Sequence, residues 1–446
     1  MRPASPIRAA LVIAAAVLAV GVGSAAPAAP SWTRISGPNN AGDQLGLART
    51  PDGTLHVIWN RGNQAPSSIF DTRVSASGAS RGTTTVTGHW EGARNGLVLL
   101  VMPDKTLRLV ATGDHSSPGS NGGISTFTAP ASGASWTLQP EVWGGPIAAA
   151  SSVIGATLTK DGQLVTGWRG TAAVGIPPSS IPQTAYAPFQ LATHLATDAG
   201  SGAVVLAGVY GGGKGGVYVQ QVLPSTGKAV VLSDGGNNND YVEGLSARIG
   251  APGVYVAYAD TKAVHLYRYG GSSKTLARGP FTSATACAGP DGRLWVAWGD
   301  NNNELFITRS NRAVGGYEPV QKLRLPQQTR NGLRFLQCEG SAGPADLFAE
   351  VLDKANGLGF WRTHVLALFS LQARAAARPK NAATARVTIS ARDAGDPVPG
   401  ATISVGGRRL KTDASGTVLL TLKPGTHPVS GAAAGYATAS VKVTVR

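Results

Sequence analysis

The side chains best suited to handling a polar polymer cluster just ahead of a recurring Gly-Leu step. Trp90, Glu91, Arg94 and Asn95 precede Gly96-Leu97; Asp240, Tyr241 and Glu243 precede Gly244-Leu245; Arg330 and Asn331 precede Gly332-Leu333. Asp43 and Gln44 hold the corresponding place before Leu45-Gly46-Leu47, and His89 and Asn237 to Asn239 extend two of the groups. Carboxylate, guanidinium, amide and aromatic groups converging on one place are what recognition of a sugar requires. The same residues permit a second chemistry. Glu91 and Glu243 could serve as acid and base in cleavage of a glycosidic bond, with Asp43 or Tyr241 assisting, if the carboxyls lie roughly 5 to 9.5 Å apart.

Other chemistries find little support. No His pair has zinc-ligand spacing and no serine nucleophile elbow occurs. The run Gly211 to Gly216 lacks the Lys-Ser/Thr that ends a phosphate loop. Asp300-Asn-Asn-Asn-Glu304 and the segment Asp234 to Asp240 offer oxygen atoms to calcium, yet neither has the spacing of a defined calcium loop, and both read as turns. No cofactor and no metal is expected.

The elements that must position these groups follow from a repeat. A segment of small and apolar residues, a tight turn and an alternating apolar strand recur seven times, at 47–59, 98–110, 155–168, 194–208, 245–258, 284–298 and 335–351. The first apolar residues after the turns are Leu55, Leu107, Leu164, Val204, Val254, Leu294 and Leu347, at intervals of 40 to 57 residues. About 40 to 50 residues is one four-stranded propeller blade. The fold class expected is therefore all-β, a seven-bladed β-propeller followed by a small β-sandwich. Trp59, Trp168, Tyr258 and Trp298 recur four positions after the aligned residue, an even offset that keeps them on one face as core. Trp32-Thr-Arg-Ile is expected to close the ring beside Gly359-Phe-Trp-Arg-Thr-His-Val365. In this geometry the turns at Asp52-Gly53, Asp161-Gly162 and Asp291-Gly292 lie on one face and the longer polar loops on the other.

Arg2 and Arg8, the apolar run Ala9 to Val22 and the small residues through Ala28 have the layout of a secretory signal peptide, so 1–28 is expected to be removed and the protein to be extracellular, with no transmembrane segment thereafter. Cys287 and Cys338, the only cysteines, fall at equivalent places in neighbouring repeats and are expected to pair. Lys and Arg number 39 against 24 Asp and Glu, a net +15 that favours an acidic polymer as partner. Nucleic acid is not the expected ligand, because no recognition motif accompanies the charge. No feature sets an oligomeric state.

After the expected propeller (31–371) and a linker (372–385), residues 386–446 carry Pro397-Val-Pro-Gly-Ala, Thr412-Asp-Ala-Ser-Gly, Leu422-Lys-Pro-Gly and Gly435-Tyr, in that order. These resemble the carboxypeptidase-regulatory-like family of immunoglobulin-type sandwiches, with His427 where that family usually has an aromatic residue. The resemblance implies a spacer or adhesion accessory without catalytic activity. Pro51-Asp-Gly-Thr-Leu-His-Val-Ile-Trp59 resembles the blades of sialidase-like propellers, without the Ser-x-Asp-x-Gly-x-x-Trp box; the arginine triad of those enzymes would have to come from Arg94, Arg330 and Arg334. The expectation is a secreted, non-catalytic protein that recognises a glycan or acidic cell-envelope polymer through the loop-rich propeller face. The alternative is a glycoside hydrolase or lyase of sialidase-like type.

Overall fold

A computed structural model of the chain describes residues 31–36, 44–61, 67–90, 96–113, 122–143, 145, 153–169, 171–176, 179–180, 190–210, 216–233, 244–260, 262–300, 304–326, 333–353 and 357–446. Among them the chain forms nine four-stranded antiparallel sheets. Six are built from consecutive strands, within 46–90, 97–143, 155–180, 190–231, 244–278 and 281–324. The seventh combines three strands of 333–365 with Trp32–Arg34 from the other end of the chain. The eighth and ninth lie within 370–445.

Alternation of apolar and polar residues places one strand face in a core, and the aligned repeat marks where the second strand of each sheet begins. Leu55, Leu107, Leu164, Val204, Val254 and Leu294 each open that strand, and all are buried. Leu347 is the third residue of its strand, Ala345–Asp353. Where the sixth sheet pairs Ala288 with Leu294, the seventh pairs Glu339 with Asp346.

The opening strands are Gly46–Arg49, Leu97–Val101, Gly155–Leu158, Gln190–Thr197, Gly244–Ala247, Phe281–Ala288 and Leu333–Glu339. Each packs against the opening strand of the next sheet, and Leu333–Glu339 packs against Gly46–Arg49. Small residues permit this approach. A Cβ on Gly155 would lie 2.6 Å from the Leu195 nitrogen, and one on Gly244 would strike the Ala286 nitrogen.

Trp32, Thr33 and Arg34 pair with Thr363, Arg362 and Trp361, as expected from their sequence. The strand therefore ties the two ends of the sheet series and covers an edge that would otherwise be open to pairing. Cys287 and Cys338 form a disulfide between the opening strands of the sixth and seventh sheets, with Cα atoms 5.7 Å apart. Trp59, Trp168, Tyr258 and Trp298 are all buried. Trp168 shares a cluster with Ile124 and Trp143 of the preceding sheet, so these rings fill the space between sheets.

The linker expected at 372–385 is in part strand. Ser370–Ala375 pairs with Ala385–Asp393, and Leu371 is buried in the core shared by the last two sheets. The small side chains of Ala373 and Ala375 carry the alternation, which makes it faint in the sequence. That shared core includes Val387, Ile389, Ile403, Val405, Val429 and Val443.

The signal peptide expected at 1–28, the glycine run through 215 and the segment 234–240 weighed for calcium lie outside the described residues, as do 301–303 between Asp300 and Glu304. No helix among the described residues is long and apolar enough to cross a membrane.

Candidate functional site

The opening strands surround a cavity of about 210 Å3. Leu45, Leu99, Gly155, Leu195, Gly244, Ala286 and Cys338 line it, with polar groups from Gln44, His194, Ser246, Thr285 and Gln337. The lining contains no carboxylate among the described residues.

Two glutamines stitch this lining together. Gln44 donates from Nε2 to the Ile154 carbonyl at 2.9 Å, and its Oε1 accepts from Ile154 N–H at 3.0 Å and Leu97 N–H at 3.1 Å. One side chain thus joins the first three sheets. Gln337 does the same between the seventh and first, accepting from Leu45 N–H at 2.8 Å and donating to the Leu45 carbonyl at 3.2 Å. Gln44, grouped in the sequence with residues expected to bind a ligand, is 3% exposed and acts as a staple.

Apart from Gln44, Trp90 is the residue expected to bind whose side chain the structure describes, and it does not present a ring to a ligand. It is fully buried, lies 5.5 Å from Phe127 by ring centroids, and donates its indole N–H to the Thr112 carbonyl at 3.2 Å. Sugar stacking requires an open ring face, and here packing covers both faces. Trp90 is the last residue of strand Ser80–Trp90, where alternation carries it into the core of the first two sheets. Asp43, Glu91, Arg94, Asn95, Asp240, Tyr241, Glu243, Arg330 and Asn331 lie outside the described residues. Their chain neighbours are informative: Gln44, Leu97 and Gly244, one or two positions after Asp43, Asn95 and Glu243, all line the one cavity.

Acid–base pairs exist elsewhere: His265 Nε2 and Asp260 Oδ2, 3.0 Å apart, are partly exposed, and others are buried. His56 Nδ1 lies 2.9 Å from Asp71 Oδ2, a dyad by distance, yet both are fully buried and Nε2 is 3.0 Å from the Ala131 carbonyl. Asp346 receives Arg49 at 2.5 Å, Arg362, and His364 Nδ1 at 3.0 Å, while Arg49 also meets Glu339 at 2.7 Å. Burial pushes the Asp346 carboxyl up, but the His364 hydrogen bond and the Arg362 and Arg49 charges outweigh it and hold the group below the usual range.

A second network joins the sixth sheet to the eighth. Asp393 Oδ2 accepts from Arg293 Nε at 3.0 Å, Arg309 Nη2 at 2.6 Å and Tyr436 OH at 2.8 Å. Glu318 meets Arg309 Nε at 3.1 Å and accepts from Leu368 N–H at 2.9 Å. Burial, opposed by Arg309 and reinforced by Asp393, pushes Glu318 up to about 9. Sequence reading missed both networks; the one visible sign was charged residues within otherwise apolar strands, such as Asp346 in Ala345-Asp-Leu-Phe. Among the described residues no group of three or more His, Cys, Asp or Glu is arranged to hold a metal ion.

No protein-family model and no curated protein matches the chain. Solved structures show a distant likeness. AofleA from Arthrobotrys oligospora is 12% identical, with 67% of this chain and 91% of that one covered and a TM-score of 0.44. The polysaccharide lyase Uly1 is 9% identical over 73% and 89%, with a TM-score of 0.45. The Aleuria aurantia lectin, in complex with Fucα1-6GlcNAc, is 13% identical over 73% and 93%, with a TM-score of 0.41.

Proposed function

We propose that the first seven sheets are the blades of a seven-bladed β-propeller, that the last two form an immunoglobulin-type sandwich of the carboxypeptidase-regulatory-like kind, and that the protein, exported behind residues 1–28, binds a glycan or acidic cell-envelope polymer without cleaving it. The run of contacts from each opening strand to the next and back to the first supports the ring. In such a ring the segments that lead into the inner strands gather around the axis.

The observation that carries the functional reading is that Gln44, Leu97 and Gly244 line one cavity. Three of the segments rich in sugar-binding groups therefore enter the fold at a common place. The residues proposed to hold the ligand are Asp43, Glu91, Arg94, Asn95, Asp240, Tyr241, Glu243, Arg330 and Asn331. Away from the cavity, Asp71, Asp346, Glu318 and Asp393 are held in buried ion pairs or hydrogen bonds.

The test is a glycan array together with a reducing-end assay. Binding that survives Glu91→Gln and Glu243→Gln with no sugar released is the expected result. Sugar release abolished by either substitution would instead establish the hydrolase or lyase reading.

A further inference from the structure

The ninth sheet has strand order Arg408–Lys411, Thr402–Val405, Gly425–Ala432, Ala439–Val445. Its inner face, with Ile403, Val405, Val429 and Val443, is core. Register fixes what the other face carries. Arg409 pairs with Ser404, Ser404 with Ser430 and Ser430 with Ser440, so one guanidinium and three hydroxyls form a row across all four strands. Lys442, opposite Pro428, adds a cation on the far edge. Between the edges lies a depression of about 620 Å3 lined by 404–409, 428–430 and 440–442, with no acidic and no aromatic residue.

The last two sheets carry much of the chain's excess positive charge. Residues 366–446 contain eleven Lys and Arg against three Asp and no Glu, a net +8 of the chain's +15. The three acids are all engaged elsewhere: Asp393 and Asp396 with Arg293, and Asp413 with Ser415 and Thr417 of its own turn. Arg408, Arg409, Lys411 and Lys442 are exposed and form no ion pair among the described residues. Unpaired cations on both edges of a groove floored by hydroxyls create a positive potential that an extended anionic chain can neutralise along its length. Arg forks fit carboxylates bidentately.

We infer that this face is a second binding surface, for a linear acidic polysaccharide whose carboxylates recur along the chain. The absence of aromatic side chains from the lining argues against single-stranded nucleic acid, whose bases bind by stacking on such rings. The surface belongs to the ninth sheet alone and stands independently of the ligand of the axial cavity.

The experiment is affinity electrophoresis of the full chain in gels containing polygalacturonate, with neutral dextran as reference and single-stranded DNA as competitor. Full-length protein is retarded by polygalacturonate and not by dextran. A cation near an anionic surface contributes about fivefold, so Arg408→Ala/Arg409→Ala/Lys442→Ala weakens binding on the order of a hundredfold. Arg374→Ala/Arg386→Ala/Lys423→Ala removes the same charge outside the groove and weakens it less than about tenfold. An unchanged melting temperature establishes that both variants are folded. Equal losses in the two variants would overturn the inference, leaving Arg408 to Lys411 as cations that discourage edge pairing. Absence of retardation, or displacement by DNA at lower concentration than by free polygalacturonate, would overturn it too.

Discussion

The two buried ionic networks use similar side chains to different ends. At the seam between the first and seventh sheets, Asp346 faces Arg49, Arg362 and His364, and its carboxyl is held low. At the joint between the sixth and eighth sheets, Asp393 and Glu318 crowd the same Arg309, and Glu318 is driven up to about 9. Cations outnumber acids around Asp346, whereas two carboxyls compete at the joint. The difference shows that burial alone does not decide protonation; the local count of opposite charges does.

The largest expected effects come from removing the central carboxylates. Asp346→Asn and Asp393→Asn each leave two buried guanidiniums short of a partner, and each lowers unfolding free energy by about 3–5 kcal/mol in urea titrations. A small loss for one and a large loss for the other would show that only one network is structurally required.

Next, Cys338→Ser removes the tie between the sixth and seventh sheets and costs about 2–4 kcal/mol. Because it borders the seam, combination with Asp346→Asn is expected to be less additive than combination with Asp393→Asn, as a double-mutant cycle would reveal.

Glu318→Gln is milder, within about 1 kcal/mol at neutral pH, since burial pushes this carboxyl toward its neutral form, which the amide resembles. Its value lies in the pH profile. A carboxyl raised in the fold contributes stability that is complete below its unfolded value of 4.5 and is lost as pH rises through about 9. Relative to Glu318→Gln, the native chain therefore has a higher melting temperature at pH 5 than at pH 9. Asp346 has the opposite sign: its contribution is present above 3.8 and is lost as pH falls through its depressed folded value.

The smallest effect provides a control remote from both networks. Lys105 has φ +71° in the turn where the first sheet has Gly53 at +84°. Lys105→Gly is expected to stabilise by up to about 1 kcal/mol, and it should leave the pH profile unchanged.

Local pattern made much of the fold legible. Period-two alternation located the second strands at Leu55, Leu107, Leu164, Val204, Val254 and Leu294, because one strand face must be buried wherever it occurs. Equivalent positions in a repeat brought Cys287 to Cys338, and the strand-like Trp32-Thr-Arg found its partner beside Trp361. Alternation was faint where side chains were small, as at Ala373 and Ala375, and Trp90, read for chemistry from its place before Gly96-Leu97, belongs to a core strand.

What the sequence by itself determined was the strands, their turns and the excess of positive charge in the last 81 residues. Only the tertiary structure decided which charges are used and which remain open. Arg49 meets Asp346 across 297 residues and Arg293 meets Asp393 across 100, and such pairings follow from how sheets stack rather than from any local spacing. The same stacking turned Asp393 and Asp396 inward and left Arg409 and Lys442 facing solvent across a groove, because a buried carboxylate requires a cation close by and an exposed cation does not require an anion.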